Sequence, residues 1–236
     1  MTLNDHSSTE DFKAAIDEYY SKYVSKAKKG ELFFFLVIIP EYKIKQEVFY
    51  SVLKNKINSD SPIISQFVLS NTVRQQKAAV FMNILRQINV KLGGDLWHVV
   101  YPEAISKKSM VIGIDVCHKG RQSIIGYVST YDTNLCKYYT QASPQKQKGI
   151  EIISSNILRE YLFNSLQAYK DFNKGTLPDH IFIYRDGVGD AMRKLVLEKE
   201  LSKIKETIKE EYEEAGKPLP KIVLIIVNKR VRQRFF

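Results

Sequence analysis

Two apolar runs in the second half of the chain each end on an aspartate, and the elements around them restrict the fold. VIGID (111–115) opens a series of three predicted strands, continued by SIIGYVSTY (123–131) and LCKYYTQ (135–141). The short separations between these runs are typical of antiparallel hairpins. The second run that ends on an aspartate, HIFIYRD (180–186), follows only after a long helical segment.

The helical segments complete the order β-β-β-α-β-α-β. Apolar residues at helical spacing predict a helix over about 147–171, and a Lys- and Glu-rich helical region over 191–215 precedes a last buried strand, KIVLIIV (221–227). The charges of 191–215 are expected to form a solvated face with i,i+4 pairs. This order is that of an RNase H-like fold with a mixed sheet, in which the first and fourth strands lie side by side. Asp115 and Asp186 are therefore expected to be near neighbours.

Paired carboxylates at neighbouring strand ends favour a metal site over two simple turns. Each aspartate alone could just end a strand, because Asp favours turns and Asp186-Gly187 is a common turn pair. Two carboxylates held together repel one another unless a cation joins them or one of them takes a proton. Mg²⁺ prefers hard oxygen ligands together with a substrate phosphate, and a pair of such ions can assist phosphodiester cleavage. The matching places of the two acids favour the metal site.

The first hundred residues alternate helices and strands, which predicts a small α/β layer domain with a parallel sheet. Its predicted strands are LFFFLVIIP (32–40) and SQFVL (65–69). Its predicted helices cover 10–28, with Ser8 or Thr9 as the cap, and then 44–58 and 72–89.

The boundary between the two halves is expected near Tyr101-Pro102, beyond the helix-breaking pair Gly93-Gly94. No internal repeat or low-complexity linker interrupts the chain. The expected organisation is an N-terminal helical segment (1–30), a small layer domain (31–101) and an RNase H-like domain (102–236).

The charge balance bears on the partner. The chain carries 36 Lys and Arg against 26 Asp and Glu, a formal net charge of +10. A basic globular protein of this kind favours a polyanionic partner, with nucleic acid as the first candidate. A coat of solvated lysines would give the same composition, so the charge alone does not decide.

The cysteines and the apolar runs bear on the compartment. Cys117 and Cys136 belong to no CxxC motif or His/Cys cluster, so neither zinc nor a disulfide framework is expected. The polar N-terminus is not a signal peptide, and the apolar run at 32–40 is too short to span a bilayer. An intracellular protein without a membrane is expected.

The motifs of the second half resemble the Piwi domain of the Argonaute/Piwi family. YRDGVGD (184–190) is similar to the family's most distinctive motif, VIGIDVCHKG (111–120) to its first strand, and VNKRVRQRFF (227–236) to a run after a later core strand. The resemblance implies that Asp115 and Asp186 are two acids of a catalytic tetrad and ligands of Mg²⁺ or Mn²⁺. It also implies that Glu151, in KGIEII, is the third acid.

The fourth member of that tetrad lies beyond the last run in the family. None of the histidines of this chain, His6, His98, His118 and His180, occupies its place. The resemblance therefore implies a Piwi domain that is truncated at its C-terminus. A departure at Ala191-Met192, where Gly-Gln is common in the family, concerns the local helix rather than the acid.

The first half resembles a MID domain, which in the family holds the 5′-phosphate of a small guide RNA. The matching residues are Tyr50, Lys54, Gln66, Gln87 and Lys91. Tyr50 and Lys54 are four residues apart on one predicted helix, as are Gln87 and Lys91 on another, so each pair shares a helix face. Tyrosine can stack on a base, and lysine supplies a positive charge. Gln87, where Argonaute-type members usually have lysine, favours the Piwi-type branch, whose pockets recruit Mg²⁺.

The resemblance implies guide binding for RNA-guided gene silencing, with cleavage of a complementary target RNA in the intact protein, in the cytoplasm or nucleus. Lys229 and Arg230 are candidates for backbone contacts that add salt-dependent affinity. Two alternatives stay open. One is a truncated guide-binding module that cannot cut, which the missing fourth tetrad member favours for this chain as given. The other is a different RNase H-like nuclease, such as a transposase, against which the MID-like half argues.

Overall fold

A computed structural model describes residues 8–28, 31–39, 46–102, 105, 108–119, 122–145 and 152–227 of the chain. The chain divides into two units, Met1–Leu96 and Trp97–Phe236. Both are mixed α/β units, as the sequence predicts: the first contains a two-stranded parallel sheet and the second a five-stranded mixed sheet. Among the described residues, no helix combines the length and the apolar character that crossing a membrane requires.

The first unit is built on two parallel strands, β1 (Phe34–Ile39) and β2 (Ile64–Leu69). Helix α1 (Thr9–Tyr19) continues as a π-helical turn to Val24, and α2 (Gln46–Asn55) continues as another to Asp60. The predicted cap of α1 is confirmed at Ser8, whose side chain accepts a hydrogen bond from the Asp11 amide while the Asp11 carboxylate accepts one from the Ser8 amide.

Alternation along the strands of the first unit separates its core from a second, more polar layer. Ile16, Leu53 and Ile57 are buried on the side of α1 and α2, where Phe35 of β1 and Phe67 of β2 pack against them. The intervening residues of β2 point to the opposite side, towards the helix that covers this strand. Neighbouring residues of β2 therefore serve different helices.

The single helix predicted over 72–89 is wrong. The structure has two helices, α3 (Ser70–Gln75) and α4 (Ala78–Lys91). Gln76 between them adopts a left-handed backbone with φ of 48°, which ends α3. No glycine or proline lies at this break, and the apolar pattern continues across it. The sequence therefore gives no indication that the helix is divided.

The second unit is a sheet of five strands in the order β5-β4-β3-β6-β7. Strand β3 pairs antiparallel with β4 and parallel with β6, so the prediction that the first and fourth strands of this half lie side by side is confirmed. The strands are β3 (Ser109–Lys119), β4 (Gln122–Thr130), β5 (Tyr138–Gln145), β6 (His180–Asp186) and β7 (Lys221–Val227).

Helices cover one face of this sheet. Helix α5 (Ser155–Phe172) is capped by Ser154 and packs beside α7 (Ser202–Glu214). Between β6 and α7 lie a 3₁₀ turn (Asp190–Met192), the short α6 (Arg193–Leu195) and a π-helical segment (Val196–Leu201). The buried core beneath them includes Met110, Ile112, Ile114, Tyr127, Leu158, Leu162, Leu166, Ile181, Ile183 and Ile208. The start of the helix predicted over 147–171 is wrong for 152–154, which are not helical, because Ser154 is extended and caps the helix; 147–151 lie outside the described residues.

The strand predicted at 135–141 is displaced, because β5 begins only at Tyr138. Asp132, which is 3% exposed, holds the preceding residues in a turn. Its Oδ1 accepts hydrogen bonds from the amides of Cys136 and Lys137 at 2.8 and 2.7 Å, and its Oδ2 accepts one from Asn134 at 3.1 Å. The carboxylate thus organises amides that the sequence pattern assigned to a strand.

The charged region 191–215 is solvated only in part. The expected i,i+4 pairs are present at Lys194–Glu198 and Lys209–Glu213, each with a nitrogen–oxygen distance of 3.7 Å. Glu200 and Glu211, however, are 2% and 7% exposed, so the prediction of a wholly solvated charged face is wrong for them. Both side chains point inwards because donors on other elements bind their carboxylates: Arg185 donates to Glu200, and Gln167 donates to Glu211.

Candidate functional site

The residues predicted to bind a phosphate converge in the first unit. Gln66 on β2 accepts a hydrogen bond from Lys91 Nζ at 2.7 Å and donates one through Nε2 to Gln87 Oε1 at 3.0 Å. Lys91 and Gln87 are neighbours on the last turns of α4, as the predicted i,i+4 spacing requires. Lys54 and Tyr50 come from α2. The structure thus brings residues from two helices and one strand to one place.

Ser65 joins the two lysines, and the sequence reasoning missed it. Its hydroxyl accepts a hydrogen bond from Lys54 Nζ at 3.1 Å, and its carbonyl oxygen accepts one from Lys91 Nζ at 2.7 Å. Ser65 is 3% exposed, and its side chain faces α2 whereas that of Gln66 faces α4. A lone serine in a short apolar strand does not by itself indicate a binding residue. In the sequence, only its position next to Gln66 points to it.

Phe67 is the second residue that the sequence reasoning missed. Its ring meets the Tyr50 ring edge to face, with centroids 5.2 Å apart, and Lys54 Nζ lies 5.4 Å from its centroid. Aromatic pairs favour this geometry, and the face of an aromatic ring attracts a cation. Phe67 therefore supports both of the α2 side chains that the sequence singles out.

The electrostatics of this cluster favour an anion. Burial, and then the charge of Lys54, hold the pKa of Lys91 below its ordinary value. Two ammonium groups gathered on one serine repel one another, and an anion bound between them would relieve that repulsion. The available donors are two lysines, a glutamine amide and a tyrosine hydroxyl, which suit a phosphate. We call Tyr50, Lys54, Ser65, Gln66, Phe67, Gln87 and Lys91 the lysine cluster.

The two predicted metal ligands lie on adjacent strands of the second unit. The parallel pairing of β3 and β6 runs to Ile114↔Arg185, so Asp115 and Asp186 occupy the next position on each strand. Ile114 and Arg185 are buried against the helices, so alternation directs both aspartates to the other face of the sheet. Asp115 is exposed and Asp186 is half-buried.

Each of these carboxylates is oriented by the amide that follows it. Asp115 Oδ1 accepts a hydrogen bond from the Val116 amide at 2.9 Å, and Asp186 Oδ1 accepts one from the Gly187 amide at 2.8 Å. Two hard oxygen donors on one sheet face fit a divalent cation such as Mg²⁺. Within the described ranges, no group of three or more His, Cys, Asp or Glu residues that could hold a metal ion occurs. Glu151, Lys229 and Arg230 lie outside the described residues.

A comparison with protein families decides the relationship. The Piwi domain matches residues 34–236, which include most of the first unit as well as the second. The chain belongs to the Argonaute/Piwi family. This membership replaces the alternative of a transposase-like nuclease, and it agrees with the Piwi-type branch that Gln87 favours.

Individual members of the family support the same conclusion. The Piwi chain is 34% identical over 195 residues to Piwi-like protein 1 of Danio rerio, covering 79% of this chain and 21% of that protein. It therefore spans about a fifth of the length of this relative.

Solved Argonaute structures share the fold. The MID-PIWI domains of Neurospora crassa QDE-2 superpose with a TM-score of 0.71 at 23% identity, covering 96% of this chain and 61% of that one. Kluyveromyces polysporus Argonaute with a guide RNA gives a TM-score of 0.72 at 21% identity, covering 91% of this chain and 25% of that one. At these identities the likeness concerns the fold alone.

Proposed function

We propose that this Piwi chain binds the 5′-phosphorylated end of a small guide RNA in its lysine cluster. The observation that carries the proposal is the convergence of Lys54 and Lys91 on Ser65, which gathers two positive charges at one point. A terminal phosphate is a compact dianion, and charge-assisted hydrogen bonds are among the stronger polar contacts that a protein makes. The related Argonaute from Kluyveromyces polysporus is itself described with a guide RNA.

Each residue of the cluster has a part in this binding. The two ammonium groups would contact phosphate oxygens, and the Gln66 and Gln87 amides would fix their geometry. The exposed ring of Tyr50, supported by Phe67, offers a surface on which the first base can stack. Such contacts do not read sequence, so base pairing between guide and target would supply the specificity.

The second part of the proposal is cleavage of a paired target RNA at the carboxylates, inside the cell. Asp115 and Asp186 would hold Mg²⁺ or Mn²⁺, with Glu151 as the third acid. Bound there, such a cation would supply activation of water and stabilisation of the charge that develops on the phosphate. The hydrogen bonds from the Val116 and Gly187 amides keep one oxygen of each aspartate in place.

The guide-binding proposal is tested by fluorescence anisotropy with a short labelled RNA that carries either a 5′-phosphate or a 5′-hydroxyl. The phosphorylated RNA should bind more tightly, and the difference should grow with Mg²⁺. Equal affinity for both RNAs would contradict the proposal and leave only general attraction between a basic protein and RNA.

The cleavage proposal needs its own assay. Loaded with a phosphorylated guide, the intact protein should cut a complementary RNA with Mg²⁺ or Mn²⁺, and Asp115→Asn should abolish the cut while sparing guide binding. Guide binding without any cleavage would favour a guide-binding module that does not cut.

A further inference from the structure

A buried ion pair joins the end of β6 to the segment that precedes α7. Arg185 is fully buried and Glu200 is 2% exposed. The guanidinium donates through Nε to Glu200 Oε2 at 2.9 Å and through Nη2 to Oε1 at 3.2 Å. The two planar groups thus meet fork to fork, the geometry that fixes both partners most tightly.

Both members of the pair also hold main-chain groups. Arg185 Nη1 donates to the carbonyl oxygen of Asp186, and Glu200 Oε1 accepts a hydrogen bond from the Ile153 amide at 2.9 Å. Ile153 directly precedes Ser154, the cap of α5. One ion pair therefore ties together the end of β6, the start of α5 and the segment Val196–Leu201.

Stability alone is a weak reason for this arrangement. Removing two charges from water costs free energy, and apolar residues of similar size often serve a protein core as well as a buried ion pair or better. What apolar residues cannot do is hold the Asp186 carbonyl and the Ile153 amide by hydrogen bonds. Because side chains alternate along a strand, Arg185 points into the core, where it can hold the main chain, while the Asp186 carboxylate faces away from the core.

We propose that Arg185 and Glu200 are positioning residues for Asp186. They fix the main chain at the end of β6, and with it the place of the Asp186 carboxylate beside Asp115. The role rests on the carboxylate site of the proposed function. It also assigns a task to Arg185, a fully buried basic residue next to a proposed metal ligand.

The test is a titration of the full chain with Mn²⁺, followed by electron paramagnetic resonance of the free ion. The informative variant is the double substitution Arg185→Met with Glu200→Met, which removes both charges of this ion pair. It should keep a cooperative thermal transition while its Kd for Mn²⁺ rises by about 10- to 100-fold, the range found when the partners of metal ligands are removed.

Glu211→Gln is the matched control. Glu211 is a buried carboxylate of α7 that accepts a hydrogen bond from Gln167, so its loss perturbs the core elsewhere. This variant should bind Mn²⁺ as the unaltered protein does. If the double variant does not fold, Arg185→Lys takes its place: it keeps the charge opposite Glu200, loses the fork, and should show a smaller rise in Kd.

The outcomes separate the two proposals. A folded double variant, or a folded Arg185→Lys variant, with unchanged Mn²⁺ affinity would overturn the positioning role alone. Absence of Mn²⁺ binding in the unaltered protein, or binding that survives Asp115→Asn together with Asp186→Asn, would overturn the metal site and this role with it.

Discussion

Lys91 Nζ lies 2.7 Å from Gln66 Oε1, although the two residues are 25 positions apart in the chain. The contact connects the last turn of α4 to the strand that α4 covers. It directs the Lys91 ammonium group towards Ser65, which the Lys54 ammonium group also contacts. The proposed phosphate would bind at this point.

Replacing Lys91 by methionine should reduce the preference for phosphorylated RNA. The methionine keeps most of the unbranched side chain and removes the charge, so the change isolates the electrostatic contact. A charged hydrogen bond contributes about 1.5–3 kcal/mol, which corresponds to a loss of affinity of roughly 10- to 100-fold. Fluorescence anisotropy with 5′-phosphate and 5′-hydroxyl RNA measures the two affinities and hence the preference.

Lys77→Met is the control for that substitution, because Lys77 is an exposed lysine at the start of α4. It should lower the affinity for both RNAs slightly and leave their ratio unchanged. An equal loss for both RNAs in Lys91→Met would contradict the assignment of Lys91 to a phosphate pocket.

Gln66→Glu should impair the pocket without unfolding the first unit. The new carboxylate would pair with Lys91 in place of the phosphate, and its negative charge would repel the ligand. The preference for phosphorylated RNA should disappear in the same binding assay, while circular dichroism stays that of the unaltered protein. Gln75→Glu adds the same charge at an exposed position of α3 and should preserve the preference.

The protonation of Lys91 should respond to Lys54. Burial and the neighbouring charge lower the pKa of Lys91, so its side chain should lose its proton at a lower pH than an ordinary lysine side chain does, as seen in carbon NMR of the lysine Cε groups. Lys54→Met should move the pKa of Lys91 upwards but not fully, because burial is the larger cause. No movement at all would show that the two ammonium groups are not close in solution.

The same shift fixes the direction of a stability effect. The unfolded chain binds the Lys91 proton more tightly than the folded chain does. Raising the pH through the lowered pKa therefore favours the folded form, whereas phosphate affinity falls over the same interval because the ligand needs the charged lysine.

Divalent cations should stabilise the second unit through its aspartates. Binding to the folded form raises the melting temperature, and Mn²⁺ should do so for the unaltered protein but much less for Asp115→Asn. The asparagine keeps the acceptor for the Val116 amide, so the loss reports on the charge. Asp171→Asn changes an exposed aspartate at the end of α5 and should leave the response to Mn²⁺ intact. An identical response in Asp115→Asn would contradict the metal site.

The sequence predicts the fold of both units well where apolar periodicity is regular. The adjacency of β3 and β6 follows from the order of the elements, and it is confirmed. The errors fall where one carboxylate or one backbone conformation overrides the pattern. Asp132 binds three amides and displaces the start of β5, and the left-handed backbone at Gln76 divides a helix that the apolar residues continue.

The candidate sites are predictable only in part. The two aspartates follow from their matching places at strand ends, and the spacing of Tyr50 with Lys54 and of Gln87 with Lys91 agrees with the residues that the family resemblance implies. Ser65, Phe67 and Glu200 act through contacts with residues distant in the chain, and nothing in their local sequence indicates this. Glu200 even lies in a run of Lys and Glu that is typical of a solvated helix.

The pairing of β1 with β2 has a consequence for natural variation. Parallel pairing from Phe34↔Ile64 to Ile39↔Leu69 decides which residues of β2 face α2 and which face α4. A slip of one residue would exchange the faces, turning Ser65 away from Lys54 and Gln66 away from Lys91. Under the proposed function, inherited changes at Phe35 or Val37, which pack in the core of the first unit, would thus appear in a genetic screen as defects in guide-RNA binding.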